Sequence, residues 1–115
     1  MVAIYKIMGT RDWAAARASG IVAPAPVDAA DGYIHLSTEE QVLETARLHF
    51  AGRDDLVAVQ FDANDFDGAL KWEASRGGAL FPHLYAPLPA PKAKIARRLV
   101  AAAGGAYAFG EAYHD

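Results

Sequence analysis

The sequence predicts an α+β fold: a single domain with a curved or split β-sheet and two main helices packed on it. Three observations carry that expectation. Helical periodicity is confined to two stretches of the first half, residues 10–19 and 37–50. Short runs with strand patterning make up most of the rest, and of the later runs only residues 92–100 are open to either helix or strand. The resulting order, β, α, β, α, β, β, β, β, puts helices early and strands late. The 115 residues suit one core. Residues 1–115 are therefore read as one domain, with a core over about 2–100 and a C-terminal tail over about 110–115.

Residues 2–8 alternate as a strand does, with Val2, Ile4, Lys6 and Met8 on one face and Ala3, Tyr5 and Ile7 on the other. Lys6 is a cation among apolar neighbours; it either snorkels at an edge or faces a ligand. Gly9 ends the strand, and Thr10 is placed to cap a helix through residue 19, with Trp13, Ala16 and Gly20 on one stripe. Pro24 and Pro26 make residues 21–30 an extended connector.

Residues 33–36 read as the second strand. Ser37 or Thr38 then opens a helix to about residue 50, because Ser37 with Glu40 and Thr38 with Gln41 have capping-box spacing. The run Leu56-Val57-Ala58-Val59-Gln60-Phe61 is a central strand buried on both faces. Asp62, Asn64, Asp65 and Asp67 lack the calcium-loop pattern and make a solvated turn or one helical turn. Residues 70–74 form a strand with Lys71 and Glu73 on one face and Trp72 on the other. In the strand over 81–88, Phe81, His83 and Tyr85 share a side, and Pro82 and Pro87 place it at an edge or rim. Residues 92–100 fit either a helix, which their alanine content favours, or a strand; the extended approach from Pro89 and Pro91 and the turn at Gly104-Gly105 into 106–109 favour the strand.

Composition narrows the function classes. With no cysteine there are no disulfides, thiolate metal sites or cysteine nucleophiles, which fits a reducing compartment. The N-terminus has no basic leader, and no apolar run approaches the roughly 20 residues that span a bilayer. A cytoplasmic protein with no membrane partner is expected. A net charge of −3 argues against broad nucleic-acid binding. The sequence carries no signal for an oligomeric state.

Seven residues on or beside strands are candidates for chemistry: Lys6, His35, Ser37, Thr38, Glu73, His83 and Tyr85. His35 and Ser37 are two apart and would project the same way, as would His83 and Tyr85. A histidine beside a hydroxyl is a general acid/base arrangement. Ser37 and Thr38 are also explained as helix caps. His35, His83 and Glu73 could hold a metal ion, yet none has a short metal-ligand spacing; no metal is expected. Gly77-Gly78 matches no phosphate loop.

The segments Ile4-Tyr5-Lys6-Ile7, Asp31-Gly32-Tyr33-Ile34-His35-Leu36-Ser37-Thr38, Leu70-Lys71-Trp72-Glu73 and Phe81-Pro82-His83-Leu84-Tyr85, with Trp13 and Gln41, resemble domain-of-unknown-function family 952, small and mainly bacterial proteins. The resemblance implies a compact relative of the ADP-ribosyltransferase architecture, in which NAD lies between the halves of a split sheet. On that pattern Lys6 takes the first-strand position, Ser37 and Thr38 the hydroxyl position and Glu73 the late glutamate. The expected ligand is NAD or an ADP-ribose derivative, with no cofactor required. Lys6 would meet its anionic part, while His35, Ser37 and Thr38 would hold ribose or phosphate oxygens. Glu73 would stabilise an oxocarbenium-like centre, and His83 and Tyr85 would line the pocket. The alternatives are a non-catalytic binding module and a metal-dependent hydrolase built on His35, His83 and Glu73.

Overall fold

The structure, a computed structural model, describes residues 1–114. Its axis is the apolar run at residues 56–61. β5 (Leu56–Asp62) buries Val57, Ala58, Val59 and Phe61 on both faces, as a near-continuous apolar strand must. It lies between β1 (Ala3–Gly9) and β9 (Ile95–Ala101) in a five-stranded sheet that ends in β10 (Tyr107–Ala112) and β4 (Ser37–Thr38), in the order β10-β9-β5-β1-β4. β3 (Ile34–His35), β7 (Leu80–Leu84) and β6 (Leu70–Ala74) form a second sheet in that order, and β2 (Ile21–Val22) pairs with β8 (Leu88–Pro89). Every pairing is antiparallel. The domain is α+β, as expected.

The period of two in β1 divides the core. Ile4 and Met8 join Trp13 and Ala16 of α1 (Thr10–Ser19), with Val57, Val59 and Phe61, on one face. Tyr5 and Ile7 join Val42 and Ala46 of α3 (Val42–His49), with Leu56, Ala58 and Leu99, on the other. Each fully buried aliphatic or aromatic side chain here contributes roughly 1.5–3 kcal/mol.

Several expectations need correction. Among the described residues there are three α-helices, because residues 26–31 are α2 (Pro26–Asp31) and not extended chain. Pro26 sits in the first turn, where its missing N–H costs nothing. Asp28 takes the Ala25 N–H at 2.8 Å, and Gly32 stops the helix in the left-handed region at φ 84°. No atom lies within 4 Å of a Cβ built on Gly32, so Gly32→Ala is expected to cost only the backbone strain. That is about 1 kcal/mol in a urea titration.

Thr10 does not cap α1; it is the first helical residue, and its N–H bonds the Asp55 carbonyl at 2.8 Å. The helix predicted from residue 37 starts at Val42. Ser37 and Thr38 are strand instead, opposite Tyr5 and Ile4. Of the two capping boxes only the return half of one forms, Gln41 Oε1 accepting from the Thr38 N–H at 3.0 Å. The tail is shorter than expected, since β10 runs to Ala112; Asp115 lies outside the described residues.

Pro82 departs furthest from expectation. It lies fully buried in β7, the middle strand of its sheet and not an edge. Its carbonyl accepts from the Leu36 N–H at 3.1 Å, but it has no N–H to return. That one-sided pair falls where the chain leaves β3 and crosses at Leu36 into β4 of the larger sheet. The proline sits where pairing ends.

Candidate functional site

The site grows from that crossing. Hydrogen-bond parity along β1 follows from two contacts, the Ala63 N–H on the Val2 carbonyl and the Thr10 N–H on the Asp55 carbonyl, each 2.8 Å. With the β1–β5 register, these assign the backbone groups of Ile4, Lys6 and Met8 to β5. Those of Tyr5, Ile7 and Gly9 face the other way. Tyr5 pairs with Ser37 on that side. Carried one step further, the same register would set Ile7 opposite His35. It does not pair there: His35 lies opposite His83 of β7 instead.

A buried ion pair fills the gap on the His35 side. Asp28 of α2 is 1% exposed and Lys6 is 7% exposed, and the Lys6 ammonium donates to Asp28 Oδ2 at 2.8 Å and to the His35 carbonyl at 3.1 Å. Asp28 Oδ1 accepts from the His35 N–H at 3.0 Å and from His35 Nδ1 at 2.7 Å. Both backbone groups of His35 that a continuous sheet would give to Ile7 are thus held by the pair. Lys6 and Asp28 wedge the sheet open. Burial alone would push the Asp28 carboxyl up, but the Lys6 ammonium and the His35 donors hold it below the ordinary carboxylate value. Burial draws Lys6 down from the ordinary lysine value, and Asp28 offsets only part of that.

On that side β1 pairs only at Ile4 and Tyr5, with β4, so among the described residues the Ile7 N–H and C=O and the Gly9 N–H have no paired strand beside them. They border an open groove of about 900 Å³, lined by Lys6, Met8, Ala15, Ala16, Val22, His35, Leu36, Ser37, His49, Phe50, Arg53 and Phe81, among others. This is at the upper end of ligand-pocket volumes, roughly 300–1,000 Å³.

Next to the groove, and reached through His35, lies a stack of rings. Tyr33 stacks on His83 with centroids 4.1 Å apart, and meets His35 at 4.6 Å and Tyr85 at 5.2 Å. Glu73 Oε1 accepts from Tyr85 at 2.8 Å and His83 Nδ1 at 2.9 Å. His35 Nε2 meets Asp31 Oδ2 at 2.9 Å. Hydrogen bonds from Tyr85 and then His83 hold the Glu73 carboxyl below its ordinary value. The same bond pushes the Tyr85 phenol up to about 12. Glu73→Gln is therefore expected to return Tyr85 ionisation toward about 10, read as phenolate absorbance across an alkaline titration.

The candidates thus divide. His35, Glu73, His83 and Tyr85 come together in one network. Lys6 joins it through the His35 carbonyl, but its charge is spent on Asp28, not offered to a ligand. Ser37 lines the groove, although its hydroxyl donates to Thr45 Oγ1 at 3.3 Å and does not share a strand with His35. Glu73, His83, Tyr85 and Thr38 do not line the groove. Both ring nitrogens of His35 have carboxylate partners, and no group of three metal-ligating side chains converges among the described residues. Sequence reasoning missed Asp28, Asp31 and Tyr33. Asp28 had a signal: a proline two residues before it and Gly32 four after it frame a short helix.

The sequence matches a family model described as a protein of unknown function, DUF952, over residues 7–95. No curated protein matches it. Among solved structures, the crystal structure of protein CC0527 from Caulobacter crescentus is 45% identical, with 92% of this chain and 93% of that one covered and a TM-score of 0.87. The solution NMR structure of CC0527 is 46% identical, with 92% and 91% covered and a TM-score of 0.81. The matched span holds α2, the crossing at Leu36 and the whole ring stack, and it makes this chain a member of the DUF952 family.

Proposed function

We propose that the groove beside β1 binds a nucleotide-type ligand, NAD or an ADP-ribose derivative, and that the chain acts by binding it. The observation that carries this is the unpaired edge of β1. Ile7 presents an N–H and a C=O side by side, and Gly9 adds a second N–H. That set complements a carboxamide or the edge of a nucleobase, each of which sets a donor beside an acceptor. Buried backbone groups are almost always partnered, so an open row of them along a groove calls for a ligand or solvent.

The walls suit the rest of such a molecule. Val22, Phe50 and Phe81 offer apolar surface to a ring. Lys6 is neutralised by Asp28, so phosphate oxygens fall to His49 and Arg53, which also line the groove; Arg53 gives Nε and one terminal nitrogen to Asp55 and keeps donors to spare. A sheet split beside a groove resembles the ADP-ribosyltransferase arrangement, in which NAD lies between the sheet halves. Binding is favoured over transfer chemistry by Glu73, whose Oε1 serves His83 and Tyr85 outside the groove.

Calorimetric titration tests this. NAD and ADP-ribose are each expected to give saturable heat, unchanged in Glu73→Gln. No heat from either at millimolar ligand would end the nucleotide reading.

A further inference from the structure

We propose that the ring stack outside the groove is a second binding site, for a planar cation that carries only N–H donors: the guanidinium class. The inference does not rest on the nucleotide reading, because Tyr33, Glu73, His83 and Tyr85 do not line the groove.

A count of hydrogen-bonding groups leads to it. A carboxylate only accepts, so His83 Nδ1 must carry the hydrogen shared with Glu73, and Nε2 is left with a lone pair in the neutral ring. His83 is 3% exposed, yet Nε2 has no partner. No buried side-chain nitrogen or oxygen is left unpaired among the described residues, so Nε2 must reach solvent. Glu73 uses only Oε1. Asp31 uses only Oδ2, on His35. The Glu73 and Asp31 side chains are 39% and 45% exposed. With the His83 ring neutral, the free valences of the cluster are thus acceptors: an imidazole nitrogen and two carboxylate oxygens. The one free hydroxyl, on Tyr33, accepts as readily as it donates.

Charge and shape then select the ligand. Two carboxylates flank the rings; Lys71, opposite His83 on β6, helps to hold the Glu73 carboxyl down through space but makes no direct ion pair with either carboxylate among the described residues. Anions are disfavoured, and a donor-rich cation pairs with what is open. Stacked aromatic faces, with Tyr85 44% exposed, favour a flat, weakly hydrated cation over a compact ammonium. A guanidinium matches both, with its donors in the plane and its faces on the rings. It could be part of a free guanidino compound or an arginine side chain, which share this chemistry.

NMR of the folded protein tests the site. Methylguanidinium chloride and methylammonium chloride would be titrated at equal ionic strength, following the His83 ring nitrogens and the Tyr33 and Tyr85 ring protons. Methylguanidinium is expected to shift these signals saturably, with an affinity at least about tenfold above that of methylammonium. Glu73→Gln should weaken it about tenfold, and Tyr85→Leu should weaken it without altering the fold, because both positions are at the surface. A Gly-Arg-Gly peptide binding more tightly than methylguanidinium would identify the source as an arginine side chain; equal affinity would identify a free guanidino compound. Equal responses to the two cations, or no His83 shift with methylguanidinium, would overturn the proposal. Neither result bears on NAD heat in the groove, so the two readings fail separately.

Discussion

Asp28→Ala is expected to destabilise the domain by about 3–5 kcal/mol, more than a typical single substitution. The carboxylate accepts from four donors: the Ala25 N–H, the Lys6 ammonium, the His35 N–H and His35 Nδ1. Its removal leaves the Lys6 charge buried with only the His35 carbonyl as partner, and unpaired buried charge is the costly outcome. For a domain of this size the loss corresponds to a fall in Tm of roughly 10–20 °C. Lys6→Met combined with Asp28→Leu removes both charges and should lose less than Asp28→Ala alone. It should not recover fully, because the Ala25 and His35 N–H groups stay unserved. A Tm for Asp28→Ala within a degree or two of the parent would show that the pair does not hold the crossing together.

The same carboxylate predicts an acid limb. Its folded pKa lies below the ordinary 3.8. Its contribution is therefore complete above that unfolded value and is lost as pH falls through the lower folded one. Stability of the parent should decline on acidification below about pH 4, and Asp28→Asn should show a shallower decline over the same range.

The second large effect is in amide exchange along β1. Ile4, Lys6 and Met8 give their N–H groups to β5, while Ile7 and Gly9 point theirs at the groove. In the free protein the first three should exchange by near-global opening, and the last two from the native state. A stability of even 4 kcal/mol separates the two sets by roughly a thousandfold. Alternation of protection with period two is the signature. Uniform protection would mean that the edge is closed.

Much of the fold was legible because local pattern and burial agree. The apolar run at residues 56–61 could only be an interior strand, and alternation at residues 2–8 put Tyr5 and Lys6 on opposite faces before any contact was known. Residues 92–100 left helix and strand both open, with alanine favouring one and the flanking prolines the other; β9 takes Ile95–Ala101, while Lys92 ends a 3-10 turn. The site was harder to read, because it depends on where a strand changes partners. Residues 33–38 look like one strand running into a helix, and nothing local reveals that Leu36 carries the chain between sheets. That crossing is set by Pro82, nearly fifty residues on, and by an ion pair from two other elements. Lys6 was visible as an anomaly. Its partner was hidden, because two nearby prolines made an extended connector the simpler reading of residues 21–30. His35, Glu73, His83 and Tyr85 were found by residue type, and register brings them together. Ser37 shares the segment of His35 but serves the other sheet.

The central claim is that a lysine–aspartate wedge splits the sheet and leaves a ligand-binding edge at Ile7 and Gly9. Its most direct test is a backbone amide NMR titration with NAD. The account predicts that the Ile7 and Gly9 amides shift and gain exchange protection as ligand saturates, while Lys6 and Met8, already bonded to β5, change little in protection. Saturation with no response at Ile7 or Gly9 would contradict it.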